Sequence, residues 1–173
     1  NSNHNTSNVM YAKASDPHND NIEIGTDGTL VEIYLHTAES DGNTGSGNGG
    51  NSYDAGIQND TWYHLVFTYD RYDSDGLEGR LYINGSNVQS WAHWGGNLTS
   101  ASGSPVTIGT TDHIGRPFNG IIDEVGIWNS ALSTAAVSDI YNGIDPLSSS
   151  GDYNSSSSLV GYWNFNEGTG TTL

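Results

Sequence analysis

The chain has 173 residues, no cysteine, and 20 acidic against 4 basic residues, which gives a formal net charge of −16. The absence of cysteine excludes a disulfide framework and a thiolate zinc site. The negative charge argues against a nucleic-acid partner because such a surface repels phosphates, and no apolar run approaches the ~20 residues of a membrane span. High acidity without cysteine suits an exported bacterial or archaeal protein, so we expect an extracellular or cell-surface location.

Short apolar runs alternate with turn residues along the chain, which contains 23 glycines and 10% aromatic residues. This composition is typical of a turn-rich β protein and not of a disordered chain. Nine segments have the alternation or the apolar run that predicts a strand: 9–14, 22–25, 29–37, 62–70, 79–84, 88–91, 106–109, 118–128 and 159–165. Asn84 at the end of segment 79–84 and the following Gly85 predict a tight hairpin turn.

One helix is predicted, over residues 133–142. Ser133 is a favourable N-cap residue, and the apolar residues that follow it can share one stripe. Asn142 and Gly143 supply the stop signal. The next segment, residues 144–158, has the serine-rich composition of a linker.

The segment 118–128 places a carboxylate where an apolar residue is expected. Alternation puts Asp123 on the same face as Val125 and Ile127. If that face is the core face, Asp123 points inward, and a buried carboxylate needs a cation or hydrogen-bond donors. Basic residues are scarce, so two interpretations stay open: a bound metal ion, or backbone N–H donors or Arg80.

Four groups of residues follow one another in the middle of the chain: Trp62-Tyr63-His64-Leu65-Val66 with Tyr69-Asp70, then Leu81-Tyr82-Ile83-Asn84-Gly85, then Ile108-Gly109, and finally the run from Phe118 to Ser133. Their order and spacing resemble the laminin G-like, concanavalin A-like jelly roll over about residues 20–143. The resemblance implies an all-β fold, an antiparallel β-sandwich with one short C-terminal helix. One departure lies at Ala136, where family members usually carry the acid that completes a capping box.

A larger departure concerns the ends of the chain. A family unit normally opens with a strand like residues 159–168, which here follow the serine-rich segment. We therefore divide the chain into a laminin G-like sandwich at 1–143 without its opening strands, a linker at 144–158, and a final strand at 159–173. This final strand either opens the next unit of a tandem array or complements a sandwich, in this chain by permuted connections or in a neighbouring copy.

The resemblance suggests a structural Ca²⁺ site near Asp123, built from carboxylate, amide and carbonyl oxygens. Weaker candidate ligands are further aspartates in polar loops: Asp16, Asp20, Asp70 and Asp112. The alternative for each of them is a solvated turn. In particular, the loop after Asp70 contains Asp-x-Asp-Gly but fails the spacing of an EF-hand.

Aromatic and polar residues in two loops are candidates for ligand binding. Trp91, His93 and Trp94 form a cluster in which an exposed ring could stack on a sugar. His113 and Arg116 lie in a second polar loop and could bind acidic sugars, or simply form a surface turn. Aromatic residues of a sandwich more often fill the core, so a structural role for the tryptophans is the alternative.

No catalytic motif is present in the sequence. Hydrolases on this fold need paired carboxylates on one strand face, and neither such a run nor a nucleophile elbow, a zinc motif or a phosphate loop occurs. We therefore predict a non-catalytic extracellular module for adhesion or carbohydrate binding, stabilised by Ca²⁺, within a larger surface or secreted protein. Two alternatives stay open: a structural subunit of a fibre that assembles with neighbouring copies by strand complementation, and an accessory domain of a polysaccharide-degrading enzyme.

Overall fold

The structure, a computed structural model, describes residues 8–13, 22–37, 51–92, 96–98, 103–111 and 115–168. Within these ranges it contains ten strands and one α-helix. They are β1 Asn8–Lys13, β2 Ile22–Asp27, β3 Leu30–Leu35, β4 Asn51–Asp54, β5 Leu65–Tyr69, β6 Gly79–Ile83, β7 Ser86–Trp91, β8 Val106–Ile108, β9 Val125–Trp128, α1 Thr134–Tyr141 and β10 Leu159–Trp163, with a short 3₁₀ helix at Ser156–Ser158 before β10. No described helix has the length and apolarity to cross a membrane.

The chain divides into two compact units that alternate along the sequence. The first unit comprises Asn1–Thr61, Arg71–Glu78 and Ala92–Gly120, and the second comprises Trp62–Asp70, Gly79–Trp91 and Ile121–Leu173. Each unit contains its own antiparallel sheet or sheets.

The first unit contains a five-stranded sheet in the order β4-β3-β2-β1-β8, in which every neighbouring pair is antiparallel. Strands β2 and β3, which agree with the predicted segments 22–25 and 29–37, form an antiparallel hairpin, and Gly28 takes the left-handed backbone conformation that its turn requires (φ 58°). On β3 the alternating residues Val31, Ile33 and Leu35 are fully buried, which explains the apolar alternation seen in the sequence.

The second unit contains a three-stranded sheet, β5-β6-β7, and a two-stranded sheet, β9-β10. The predicted tight turn between β6 and β7 is confirmed, with φ angles of 50° at Asn84 and 76° at Gly85. A Cβ atom at Gly85 would lie 2.7 Å from Cδ1 of Tyr141. The turn therefore requires glycine both for its backbone angle and for its contact with the end of α1.

Helix α1 begins and ends where the sequence signals predict. The Ser133 side chain accepts a hydrogen bond from the backbone N of Ala136, and Asn142 is the C-cap residue. The cap acts in one direction only, because no acidic residue in the first turn returns the bond. On the buried side of the helix, Ala136 and Val137 join a core cluster.

The serine-rich segment 144–158 makes specific contacts with the second unit. Tyr153 is fully buried in the cluster that contains Tyr82, Leu132 and Val137. Its backbone N and that of Asp152 donate to Oδ2 of Asp139 on α1. One aromatic residue and one distant carboxylate thus hold part of this segment against α1, and its division from the sandwich as a linker stays a prediction.

The final strand, β10, pairs antiparallel with β9 of the same chain. The register places Tyr162 opposite Gly126 and Trp163 opposite Val125, with an irregularity between Leu159 and Gly161. In this chain the strand thus complements its own sheet. The idea that 159–173 also opens a following unit stays a prediction.

Candidate functional site

An open depression of about 410 Å³ lies along β10 in the second unit. We call it the β10 groove, and its lining residues are Leu147, Leu159, Val160, Gly161, Tyr162 and Asn164. Leu147 and Val160 are 64% and 62% exposed. The groove therefore combines exposed apolar surface with a phenol and a side-chain amide, a mixture typical of small-ligand sites.

One lining residue of the groove, Tyr162, is hydrogen-bonded to a residue that lies far from it in the sequence. The hydroxyl of Tyr162 donates to Oε2 of Glu124, which immediately precedes β9. Burial raises the pKa of the Tyr162 hydroxyl, and the hydrogen bond and negative charge of Glu124 raise it further. Tyr162 is therefore a neutral phenol at physiological pH, and its hydroxyl holds Oε2 of Glu124 beside it.

Two further carboxylates contribute negative charge near Tyr162. The charges of Asp145 and Asp123 also raise its pKa, after the effects of burial and of Glu124. Oδ1 of Asp145 accepts a hydrogen bond from the backbone N of Leu147 (2.8 Å), and Oδ1 of Asp123 accepts one from that of Glu124 (3.0 Å). Local hydrogen bonds thus hold both side chains, and three carboxylates contribute negative charge near Tyr162.

Two tryptophan rings support the strand pair beneath the groove. A Cβ atom at Gly126 would lie 2.4 Å from the ring of Trp128, and one at Gly161 would lie 2.7 Å from the ring of Trp163. Each ring therefore lies across a glycine of its own strand, an arrangement that shields the open backbone. Nε1 of Trp128 donates to the hydroxyl of Tyr153 (3.0 Å). This hydrogen bond joins β9, the partner strand of β10, to a buried residue of the second unit.

The prediction that Asp123 points into the core is wrong. Strand β9 begins at Val125, and Glu124 has a φ of 54°, a left-handed conformation that interrupts the alternation on which the prediction depended. Asp123 is exposed. The argument that a buried carboxylate needs a cation therefore does not apply to it, and its nearest donor is the backbone of Glu124.

Of the predicted sugar-binding cluster, only Trp91 lies within the described residues. It ends β7 opposite Gly79 and is 8% exposed. Trp91 is therefore buried, whereas stacking on a sugar needs an exposed ring face, and its part in sugar binding stays a prediction. His93 and Trp94 lie outside the described residues, as does His113 of the second predicted loop.

Arg116 lies against a buried carboxylate of the first unit. Its Nη1 is 3.9 Å from Oε1 of Glu23, whose side chain is 1% exposed. The backbone of the same segment is tied to β1, since O of Arg116 accepts a hydrogen bond from N of Val9. This arrangement gives Arg116 a structural contact, and its predicted part in binding acidic sugars stays a prediction.

The predicted metal ligands are not brought together among the described residues. Asp70 is exposed at the end of β5, and Asp16, Asp20 and Asp112 lie outside the described ranges. In the loop after Asp70, Asp73 and Asp75 accept hydrogen bonds from nearby backbone N atoms, as expected for a solvated turn. Within the described ranges, no group of three or more His, Asp or Glu side chains is placed to hold a metal ion.

Sequence reasoning missed the Tyr162–Glu124 pair, although Glu124 lies in the predicted strand segment 118–128 and Tyr162 lies in the segment 159–165. The only signal was that both segments belong to strands; their antiparallel pairing and register could not be read from either one alone. The register is what brings Tyr162 next to the residue that precedes β9.

Comparison with known proteins identifies the class of fold and then the family. The antiparallel sheets with one short helix agree with a concanavalin A-like β-sandwich, as predicted, and the profile of the Laminin_G_3 family, described as the concanavalin A-like lectin/glucanases superfamily, matches residues 1–138. The chain belongs to this family. No curated protein matches it significantly.

Two solved structures are similar to the chain at low sequence identity. A proposed carbohydrate-binding protein from Bacteroides ovatus is 19% identical with a TM-score of 0.57, over 95% of this chain and 46% of that one. An S-layer domain-containing protein from Clostridium thermocellum is 20% identical with a TM-score of 0.41, over 69% of this chain and 55% of that one. The chain thus spans about half the length of either structure, and the first likeness supports the fold alone.

Proposed function

We propose that this protein is a non-catalytic carbohydrate-binding module and that the β10 groove is its sugar-binding surface. Membership of a family whose name covers lectins and glucanases supports the substrate class, and the B. ovatus protein of similar fold is itself proposed to bind carbohydrate. The observation that carries the choice of site is the groove, where Tyr162 and Glu124 are hydrogen-bonded to each other beside exposed apolar surface.

The chemistry of the groove suits a sugar ring. The C–H face of a pyranose can pack on apolar side chains such as Leu147 and Val160, while its hydroxyls bond to the amide of Asn164 and the free oxygen of Glu124. Such a shallow, open surface binds one or a few residues of a polymer and leaves the chain of the polymer in solvent.

The charge of the groove selects among sugars. Glu124, Asp123 and Asp145 place negative charge near its lining residue Tyr162, and the only Lys or Arg in the sequence of the second unit is Arg80, on β6. Uronic-acid and sulfated polymers are therefore repelled, whereas neutral and amine-bearing sugars are accepted. The earlier expectation of acidic sugars applied to the loop of His113 and Arg116, in the first unit.

Binding without catalysis follows from the carboxylates. A glycosidase needs two carboxyl groups on opposite sides of one bond, whereas Asp123 and Glu124 are neighbours in the chain and each already accepts a hydrogen bond from protein. Incubation with the polysaccharides that bind should therefore release no reducing ends.

The test uses two sugars that share a backbone and differ in charge, namely oligomers of glucosamine and their fully N-acetylated counterparts, with an oligouronate as the anionic arm. Calorimetric titration of the wild type should give binding to the first two and none to the oligouronate. Tyr162→Ala should abolish binding, whereas Tyr72→Ala, at a tyrosine that is 76% exposed in the first unit, should leave it unchanged. Equal loss in the two variants, or binding of the oligouronate alone, would refute the site.

Adhesion, an extracellular location and Ca²⁺ stabilisation are further parts of the proposal. High acidity and the absence of cysteine support export.

The rival function is a fibre subunit assembled by strand complementation, which the two-stranded β9-β10 sheet favours because each of its strands has only one partner among the described strands. Size-exclusion chromatography distinguishes the two, since the rival requires association and the sugar-binding module does not.

A further inference from the structure

Asparagine followed by glycine is prone to spontaneous deamidation. The backbone N of the glycine attacks Cγ of the asparagine, and the missing glycine side chain leaves this approach open. The described residues contain three such pairs, at 84–85, 119–120 and 142–143, and a fourth at 48–49 lies outside them. The three described pairs differ greatly in how firmly the reacting atoms are held.

The pair at 84–85 is held inside the β6–β7 hairpin. Oδ1 of Asn84 accepts a hydrogen bond from the backbone N of His64 (3.0 Å), and N of Asn84 donates to O of His64 (2.9 Å). Gly85 is buried under the ring of Tyr141. Attack by the Gly85 nitrogen would have to open this turn.

The pair at 142–143 is held by the C-terminal cap of α1. Nδ2 of Asn142 donates to O of Ser138 (2.8 Å), so the leaving nitrogen is bound to the helix. The attacking nitrogen is bound as well, because N of Gly143 donates to O of Ile140 (2.9 Å). Both hydrogen bonds have to break before the five-membered ring can close.

The pair at 119–120 lies in an exposed bend before β9 and belongs to no helix or strand. Neither the side chain of Asn119 nor the backbone N of Gly120 makes a hydrogen bond to a described residue. A Cβ atom at Gly120 would lie 2.5 Å from the ring of Phe118. A side chain at this position would therefore have to displace the ring of Phe118.

We propose that Asn119 is the preferred site of deamidation among the described residues of the folded protein. The deprotonated nitrogen of Gly120 forms a bond to Cγ of Asn119, and the bond from Cγ to Nδ2 breaks with release of ammonia. Water then opens the cyclic imide at either carbonyl, which gives aspartate or isoaspartate. The net reaction consumes one water and releases one ammonia, and it adds a negative charge and, in the isoaspartate form, a methylene to the main chain.

The sequence supplies a matched control for this proposal. Residues 118–121 read Phe-Asn-Gly-Ile and residues 141–144 read Tyr-Asn-Gly-Ile, so the two sites have almost the same intrinsic reactivity. The two hydrogen bonds that hold the second site have to open before the ring can close, and this slows its reaction in the folded protein by about 10- to 100-fold.

The experiment is peptide mapping by mass spectrometry after incubation of the intact protein at mildly alkaline pH, with a parallel sample in concentrated urea. In the folded protein, the mass gain of deamidation should accumulate at Asn119 about tenfold or more faster than at Asn142, and in urea the two rates should converge. Asn119→Ser should remove the early product. Equal rates in the folded protein, faster reaction at Asn142, or a rate difference that persists in urea would each overturn the proposal.

Discussion

Replacing Tyr153 with phenylalanine tests whether residues 144–158 are part of the folded core. The hydroxyl of Tyr153 donates to O of Pro146 (2.8 Å) and accepts from Nε1 of Trp128 (3.0 Å). The side chain is fully buried. Phenylalanine keeps the ring in place and removes only the hydroxyl, which hydrogen-bonds Trp128 of β9 and Pro146.

The expected cost follows from the two partners that are left behind. A buried donor or acceptor without a partner costs about 1–3 kcal/mol. Because Trp128 and Pro146 are only partly buried, water can reach them to some extent, and we expect a loss of about 2 kcal/mol in the free energy of unfolding for Tyr153→Phe. For a chain of this size, that corresponds to a decrease of about 4–8 °C in the melting temperature.

Urea unfolding followed by tryptophan fluorescence measures this loss. The matched control is Tyr72→Phe, which removes the same atom from a tyrosine that is 76% exposed and should change stability by less than about 0.5 kcal/mol. If the two variants unfold at the same urea concentration, the two hydrogen bonds of the Tyr153 hydroxyl do not stabilise the fold.

Three further predictions follow from other parts of the chain. Arg116→Met removes the cation that lies 3.9 Å from fully buried Glu23; we expect a loss of about 2 kcal/mol in urea unfolding and partial recovery when Glu23→Gln is added. Burial lowers the pKa of His64 from 6.5, so the unfolded state binds more protons below that pH; stability should fall as the pH falls from 6.5 through the lower folded-state pKa, and His64→Gln should flatten this slope in melts across the range. If Ca²⁺ stabilises the protein, EDTA should lower the melting temperature by several degrees and added Ca²⁺ should restore it; identical melts with and without EDTA would remove Ca²⁺ from the proposal.

The helix and most of the strands were predictable because their signals are local, whereas β4 at Asn51–Asp54 was not predicted and β9 is shorter than the predicted segment 118–128. Val31, Ile33 and Leu35 alternate within one strand, Asn84 and Gly85 adopt the positive φ angles that a tight turn needs, and Ser133 caps α1 within its first turn. In each case, neighbouring residues in the sequence determine the outcome.

The candidate site was not predictable because it depends on pairs that are distant in the sequence. Tyr162 meets Glu124 only through the register of β10 on β9. The alternation of side chains that placed Asp123 on the core face assumed an unbroken strand. The left-handed backbone conformation of Glu124 interrupts that alternation. Tyr153 was overlooked because a serine-rich composition does not show which single residue is buried.

The interleaving of the two units limits how this protein can be shortened. The first unit draws on residues up to Gly120 and the second on residues from Trp62 onward, so no single cleavage point releases either unit intact. In the first unit, β1 must wait for β8 to be synthesised before the two can pair. Expression fragments that end between Trp62 and Gly120 should be recovered as insoluble protein. A library of truncations should yield soluble protein only when the residues of both units are retained.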